Sequence, residues 1–176
     1  MKEEVIMAGF GGQGVMSIGK LLSYAGMKES KEVSWMPSYG PEMRGGTANC
    51  TVIVSDNKIP SPLSSKPDSI IVMNLPSLDK FAPKVKSGGT IFVNSSLISK
   101  EVERDDVEVI KVPANEIANE LGNNKAANMA MLGAYVSNKN IVDLETVKNS
   151  LENVLPERRH DLIPINKKAL DKGNEL

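Results

Sequence analysis

Val5-Ile6-Met7-Ala8-Gly9-Phe10-Gly11-Gly12-Gln13-Gly14-Val15-Met16 decides the fold. The first four residues are continuously apolar, the mark of a strand buried on both faces. A glycine-dense turn follows, and then residues at helical spacing. A turn of this kind opens a helix whose free backbone N–H groups and positive dipole end suit an anion. Gly9, Gly11 and Gly14 match G-x-G-x-x-G, the spacing of a dinucleotide fingerprint. The same pattern also serves as a tight strand-to-helix turn that holds no ligand.

Working outward, residues 14–27 read as a helix with Val15, Ile18, Leu22 and Ala25 on its buried face. Gly19 fits close packing on a sheet, and Gly26 a fraying end. Residues 32–36 read as a second strand, stopped by Pro37, which completes a unit of βαβ length. Residues 37–46 hold two prolines and three glycines and form a shaped loop carrying Tyr39, Glu42 and Arg44. Residues 47–55 are β-branched and strand-like. No helical pattern precedes them, so this strand is the expected antiparallel member of the sheet.

Further strands are expected at 69–73, 90–93 and 107–112. A helix from Leu75 carries Leu78, Phe81 and Val85, with Pro83 kinking or shortening it. Together these predict an α/β, Rossmann-like fold, a mostly parallel sheet with helices on both faces. After Ala114 the chain turns helical. Residues 124–137 are apolar nearly all round and predict a helix buried against the sheet or another chain. Asp143 is suited to N-cap a helix over 144–155. Residues 164–176 read as a surface helix or arm. No repeat or linker divides the chain, so one domain is expected over residues 1–176.

Composition narrows the function. The net charge is −1 and aromatics make up 4% of 176 residues, which argues against a nucleic-acid or membrane-surface partner. No apolar run reaches the roughly 18 residues that cross a bilayer, and a cytoplasmic location is expected. One cysteine, Cys50, and one histidine, His160, cannot build a metal or cluster site within the chain. Cys50 reads as a buried core thiol and His160 as part of a solvated polar stretch. An NAD site places Asp or Glu at the end of the second strand to hold the ribose. Here that position is Met36-Pro37-Ser38. The 37–46 loop either presents Tyr39, Glu42 and Arg44 to an anionic ligand or partner, or is a structural loop with a local Glu42–Arg44 pair.

Gly9-Phe10-Gly11-Gly12-Gln13-Gly14 and Ser38-Tyr39-Gly40-Pro41-Glu42-Met43-Arg44-Gly45-Gly46 together resemble the gamma subunit of 2-oxoacid:ferredoxin oxidoreductases. Ser55-Asp56, Ser61-Pro62, Asn128-Met129 and Leu132-Gly133-Ala134 agree in order. The pattern is most similar to gamma chains of the 2-oxoglutarate or ketoisovalerate type, and the beta subunit of indolepyruvate oxidoreductase shares the domain. The resemblance implies oxidative decarboxylation of a 2-oxoacid, 2-oxoglutarate favoured, with coenzyme A, giving acyl-CoA, carbon dioxide and reduced ferredoxin. It implies alpha, beta and delta partner subunits that carry thiamine diphosphate, Mg and iron–sulfur clusters. It implies no cofactor on this chain and inactivity of the chain alone. Gly9, Gly11, Gly12, Gln13, Gly14, Tyr39, Glu42, Arg44, Gly45 and Gly46 are then the surface that faces coenzyme A or a partner subunit. Self-association remains open, and the alternative readings are a free-standing NAD(P)- or nucleotide-binding protein and an indolepyruvate oxidoreductase beta-type subunit.

Overall fold

The computed structural model describes residues 1–38 and 47–176. Its centre is β1 (Lys2–Phe10), the strand expected from the opening apolar run. Val5 and Met7 face one layer of the core, Ile6 and Ala8 the other, so both faces of the strand are dry. β1 is followed by α1 (Val15–Lys28), β2 (Glu32–Ser38), β3 (Thr47–Ser55) and β4 (Ser69–Val72). Then come α2 (Leu75–Phe81), β5 (Thr90–Asn94), β6 (Glu108–Val112) and α3 (Ala114–Glu120). The chain ends in α4 (Ala127–Lys139), α5 (Leu144–Asn149), α6 (Leu151–Val154) and α7 (Ile163–Asn174).

The six strands lie in the order β2-β3-β1-β4-β5-β6. β1, β4, β5 and β6 pair in parallel, and β3 is antiparallel to both β1 and β2. The expected antiparallel strand is therefore the observed one. The first βαβ unit differs from expectation in one respect. β1 and β2 run the same way, but β3 is inserted between them. This leaves β2 as an edge strand, and that explains a second difference. β2 continues through Pro37, which sits opposite Cys50, because an edge strand tolerates a residue with no N–H to donate.

The helices cover the two faces unequally. α1 and the helices from α3 onward pack on one side around Met7, Phe92 and Tyr135. On the other, α2 with Leu78 and Phe81 covers Ile6, Ile70 and Ile91. α2 is short, as Pro83 foretells, and passes into a 3-10 turn over Ala82–Lys84. α4 is buried along Ala127 to Val136, and its Tyr135 ring meets Phe92 edge-on at 5.5 Å. α5 carries the expected N-cap, Asp143 accepting from the Glu145 N–H at 2.7 Å. The single helix expected over 144–155 is broken into α5 and α6. At the break the Ser150 hydroxyl donates to the Thr146 carbonyl at 2.7 Å.

α7 is not a surface arm. Ala169 and Leu170 are fully buried, and α7 lies backbone to backbone on α4. A methyl group on Gly133 would stand 2.1 Å from the Leu170 carbonyl oxygen, and one on Gly173 would stand 2.0 Å from that of Ala130. Gly26 is likewise packed rather than frayed, since a methyl there would meet Val33 at 2.8 Å. Gly19 is close-packed as expected, its position 2.5 Å from the Cys50 sulfur for an added methyl.

Candidate functional site

The glycine turn joins β1 to α1, and Gly14 caps the helix with left-handed backbone at φ 76°. Gly12 is also left-handed, at φ 92°, with open space around it. Gly11 and Gly12 are exposed and Gly9 is buried. Gly9 leaves room for a neighbour, because a methyl on it would meet Gln13 Oε1 at 2.7 Å and Met73 Cβ at 2.9 Å.

That neighbour decides what the turn can do. Gln13 Oε1 accepts the Phe10 N–H at 2.7 Å and an Asn74 Nδ2 hydrogen at 3.3 Å. Gln13 Nε2 donates to the Met73 carbonyl at 3.4 Å. Asn74 in turn N-caps α2, accepting from the Ser77 N–H at 2.9 Å. β1 and β4 are adjacent parallel strands whose helices leave for opposite faces. Their carboxyl ends thus form the crevice in which open α/β sheets hold ligands. Here Gln13 and Asn74 lace that crevice shut. A dinucleotide is further disfavoured because β3 separates β1 from the end of β2, where a ribose-binding acid belongs.

The other side of the turn is open. A cleft of about 110 Å³ lies between the start of α1, the start of α4 and the turn before α7. Gly12, Gly14, Ser17, Lys125, Asn128 and Arg159 line it. α1 has no side-chain cap and no acidic residue in its first turn, so its positive end is not neutralised. Asn128 Nδ2 donates to the Gly14 carbonyl at 3.1 Å, while Asn128 Oδ1, although buried, has no hydrogen-bond partner.

The predicted site residues therefore divide. Gly9 and Gln13 form the internal lacing, Gly12 and Gly14 face the cleft, and Gly11 lies on the exposed rim. Tyr39, Glu42, Arg44, Gly45 and Gly46 lie outside the described residues. The flanking residue Thr47 pairs with Phe10 at the same sheet edge. Ser17, Lys125 and Arg159 escape sequence reasoning because nothing local joins them. Asn128 interrupts an apolar helix, which is a signal, but the sequence favours packing there.

Cys50 is the expected core thiol: it is fully buried, and burial pushes its pKa up to about 12. Among the described residues no group of three His, Cys, Asp or Glu side chains is placed to hold a metal. His160 is not simply solvated. Its Nε2 lies 2.9 Å from the Leu155 carbonyl oxygen, which only accepts, so Nε2 carries the proton. No described helix is long and apolar enough to cross a membrane.

The family model described as pyruvate ferredoxin/flavodoxin oxidoreductase matches residues 4–176. The ketoisovalerate oxidoreductase subunit VorA of Methanothermobacter marburgensis is 39% identical over 170 residues, covering 96% of this chain but 35% of that protein. The chain thus spans about a third of the length of this curated relative. The 2-oxoglutarate synthase subunit KorC of Methanocaldococcus jannaschii is 34% identical over 179 residues, covering 100% of this chain and 94% of that one. Among solved structures, the gamma subunit of a keto/oxoacid ferredoxin oxidoreductase from Geobacter sulfurreducens superposes with a TM-score of 0.87. It is 26% identical, with 99% of this chain and 95% of that chain covered. The sheet, the glycine turn and this match across residues 4–176 lead to one conclusion: the chain belongs to the pyruvate ferredoxin/flavodoxin oxidoreductase family.

Proposed function

We propose that the chain is the gamma-type domain of a multi-subunit 2-oxoacid:ferredoxin oxidoreductase. Such an enzyme converts a 2-oxoacid and coenzyme A to acyl-CoA and carbon dioxide, with electrons passing to ferredoxin. On this reading thiamine diphosphate, Mg and the clusters reside on alpha, beta and delta partners in the cytoplasm. Residues 1–176 act as one domain that borders the route of coenzyme A. The substrate is a 2-oxoglutarate or ketoisovalerate type of acid, in keeping with the names of the KorC and VorA relatives.

The observation that carries the reading is the placement of Gln13 in the switch-point crevice. It leaves a Rossmann-like turn with its dinucleotide position filled and its helix N-terminus open. This suits an accessory domain that meets a ligand used elsewhere, and it disfavours a free-standing NAD(P) enzyme.

The test is a reconstituted complex assayed by viologen reduction with 2-oxoglutarate, 2-oxoisovalerate and pyruvate, with and without this chain. Activity with one of these acids that falls when the chain is omitted is the expected result. Undiminished activity without it overturns the proposal, as does activity of the chain alone.

A further inference from the structure

We propose that β2 is a self-association edge: two copies of the chain pair antiparallel through this strand, Ser34 against Ser34, and join their sheets into one.

The two edges of the sheet differ. β6, at one end, carries Glu108 and Lys111 along its short length, charges of the kind that keep an edge from pairing with a neighbour. β2, at the other, runs Val33-Ser34-Trp35-Met36 through its middle with no charge. Beside it lies a groove of about 430 Å³ between α1, β2 and α6, lined by Tyr24, Met27, Val33 and Trp35. Tyr24 is 38% exposed and Met27 53%. Among the described residues that line the groove only Lys20 is charged, and its ammonium lies 5.1 Å from the Trp35 ring centroid.

The hydrogen-bond alternation selects the occupant. The Asp68 and Met73 N–H groups donate to the Glu4 and Ala8 carbonyls, so Glu3, Val5 and Met7 bond the other way, toward β3. Those three face Val54, Val52 and Cys50. Thr51 and Ile53 then bond toward β2, where they meet Met36 and Ser34. Val33, Trp35 and Pro37 are left with their backbone groups pointing outward. Pro37 has no N–H to offer, in keeping with an outward position on an edge. Lys31 is the next outward position at the other end, and its N–H is committed to the Gly26 carbonyl at 3.0 Å. The free donors of this stretch are those of Val33 and Trp35.

A strand with that pattern is its own complement. Paired about Ser34, Val33 exchanges both bonds with Trp35 of the second copy, and Trp35 does so with Val33 of the second copy. Lys31 and Pro37, the residues without a free N–H, fall opposite each other, so no ladder bond is lost. Centred on Val33 instead, Trp35 would face Lys31; centred on Trp35, Val33 would face Pro37. Either shift leaves a ladder carbonyl without its donor. Charge agrees with the Ser34 register, since Glu32 falls opposite Met36 and no like charges meet. The Val33 and Trp35 side chains lie on the α1 face, so this pairing brings the two apolar grooves together. A foreign strand would have to reproduce the donor spacing, whereas a second copy has it by identity.

The experiment measures the mass of the full chain by analytical ultracentrifugation between about 1 and 200 µM. Emission from Trp35, the only tryptophan, is followed over the same range. A dimer is expected to form as concentration rises, with the emission shifting to the blue in step. Ser34→Cys should oxidise to a covalent dimer, because facing residues of this kind stand about 4.5 Å apart between Cα atoms, within disulfide reach. Glu32→Cys and Met36→Cys should cross-link only when mixed with each other. Cys50 is fully buried, so the wild type should stay uncrosslinked. Val33→Pro removes an outward donor from each strand and should weaken association about tenfold or more. Ser34→Lys sets like charges across the axis and should weaken it as well. Melting curves recorded where the chains are monomers check that both variants fold.

A chain that stays monomeric throughout overturns the proposal, as does a dimer that Ser34→Cys fails to cross-link. Unchanged association in both folded variants overturns it too. So does cross-linking of Ser34→Cys to a different chain alone in the reconstituted complex.

Discussion

The side-chain oxygen of Gln13 accepts the backbone N–H of Phe10 at 2.7 Å, so the glycine turn is closed by one of its own residues. The same oxygen reaches Asn74 on the neighbouring turn. Gln13→Ala removes these bonds and the one to the Met73 carbonyl. With a net worth of about 0.5–1.5 kcal/mol for each well-made bond, and the two longer ones counting for less, a loss of about 1–2 kcal/mol is expected. Thermal melting should show a fall of about 2–8 °C for a chain of this size. An unchanged melting temperature would mean that the lacing contributes nothing to stability.

Gly133 and Gly173 set the distance between α4 and α7. An alanine methyl at either site would press on a backbone carbonyl oxygen, at 2.1 Å and 2.0 Å respectively. Backbone cannot rotate away as a side chain does. Each Gly→Ala change is expected to destabilise by about 1–3 kcal/mol or more, read as a lowered urea midpoint. Gly12→Ala is the contrast, since it meets no atom within 4 Å and bears only the left-handed strain of φ 92°, about 1–2 kcal/mol.

Glu3 gives the fold an acid-side pH dependence. Burial raises its pKa above 4.5, opposed by the Ser69 hydroxyl that donates to it. The folded state therefore holds this proton more tightly than the unfolded state. Stability from this group is greatest below pH 4.5 and falls as pH rises through the raised value. Glu3→Gln should flatten that fall, so that the variant gains on the wild type as pH increases, measured by urea unfolding between pH 4 and 8. Parallel curves for the two proteins would refute it.

Asp56 works in the opposite direction. Hydrogen bonds from Lys31 and the N-terminal amine hold its pKa down at about 2. Its contribution is present above the ordinary value of 3.8 and is lost as pH falls toward 2. In Asp56→Asn the loss of stability on acidification below pH 4 should be shallower, by the same unfolding assay.

Cys50 should be chemically silent in the folded protein. It is fully buried, with its pKa pushed up to about 12, so little thiolate exists at neutral pH. A colorimetric thiol reagent is expected to react with it only after denaturant is added. Rapid reaction in native buffer would show that the α1–β3 packing opens.

The legible part of this chain is the part written in local patterns. The unbroken apolar run of β1, the β-branched run of β3 and the Asp143 cap each announce themselves within a few residues. The insertion of β3 between β1 and β2 does not, because the same strand sequences pair equally well in either order. Pro37 misleads for the same reason: it reads as a stop unless the strand is known to be an edge. α7 carries few apolar residues and looks like a surface helix. Its burial rests on two glycines, Gly133 and Gly173, whose meeting is a tertiary fact. The cleft is the extreme case. Asn128 and Gly14 are 114 positions apart in the chain, and no periodicity links Lys125 to Arg159.

The glycine contact between α4 and α7 has a reach beyond its own stability. α4 carries Asn128, and Arg159 sits on the turn that leads directly into α7. The spacing of the two helices is thus the gauge that sets how far Arg159 stands from the start of α1. A bulky residue at the helix crossing would widen that gauge without touching the cleft, so the shape of the cleft is set from a distance by two glycines that do not line it.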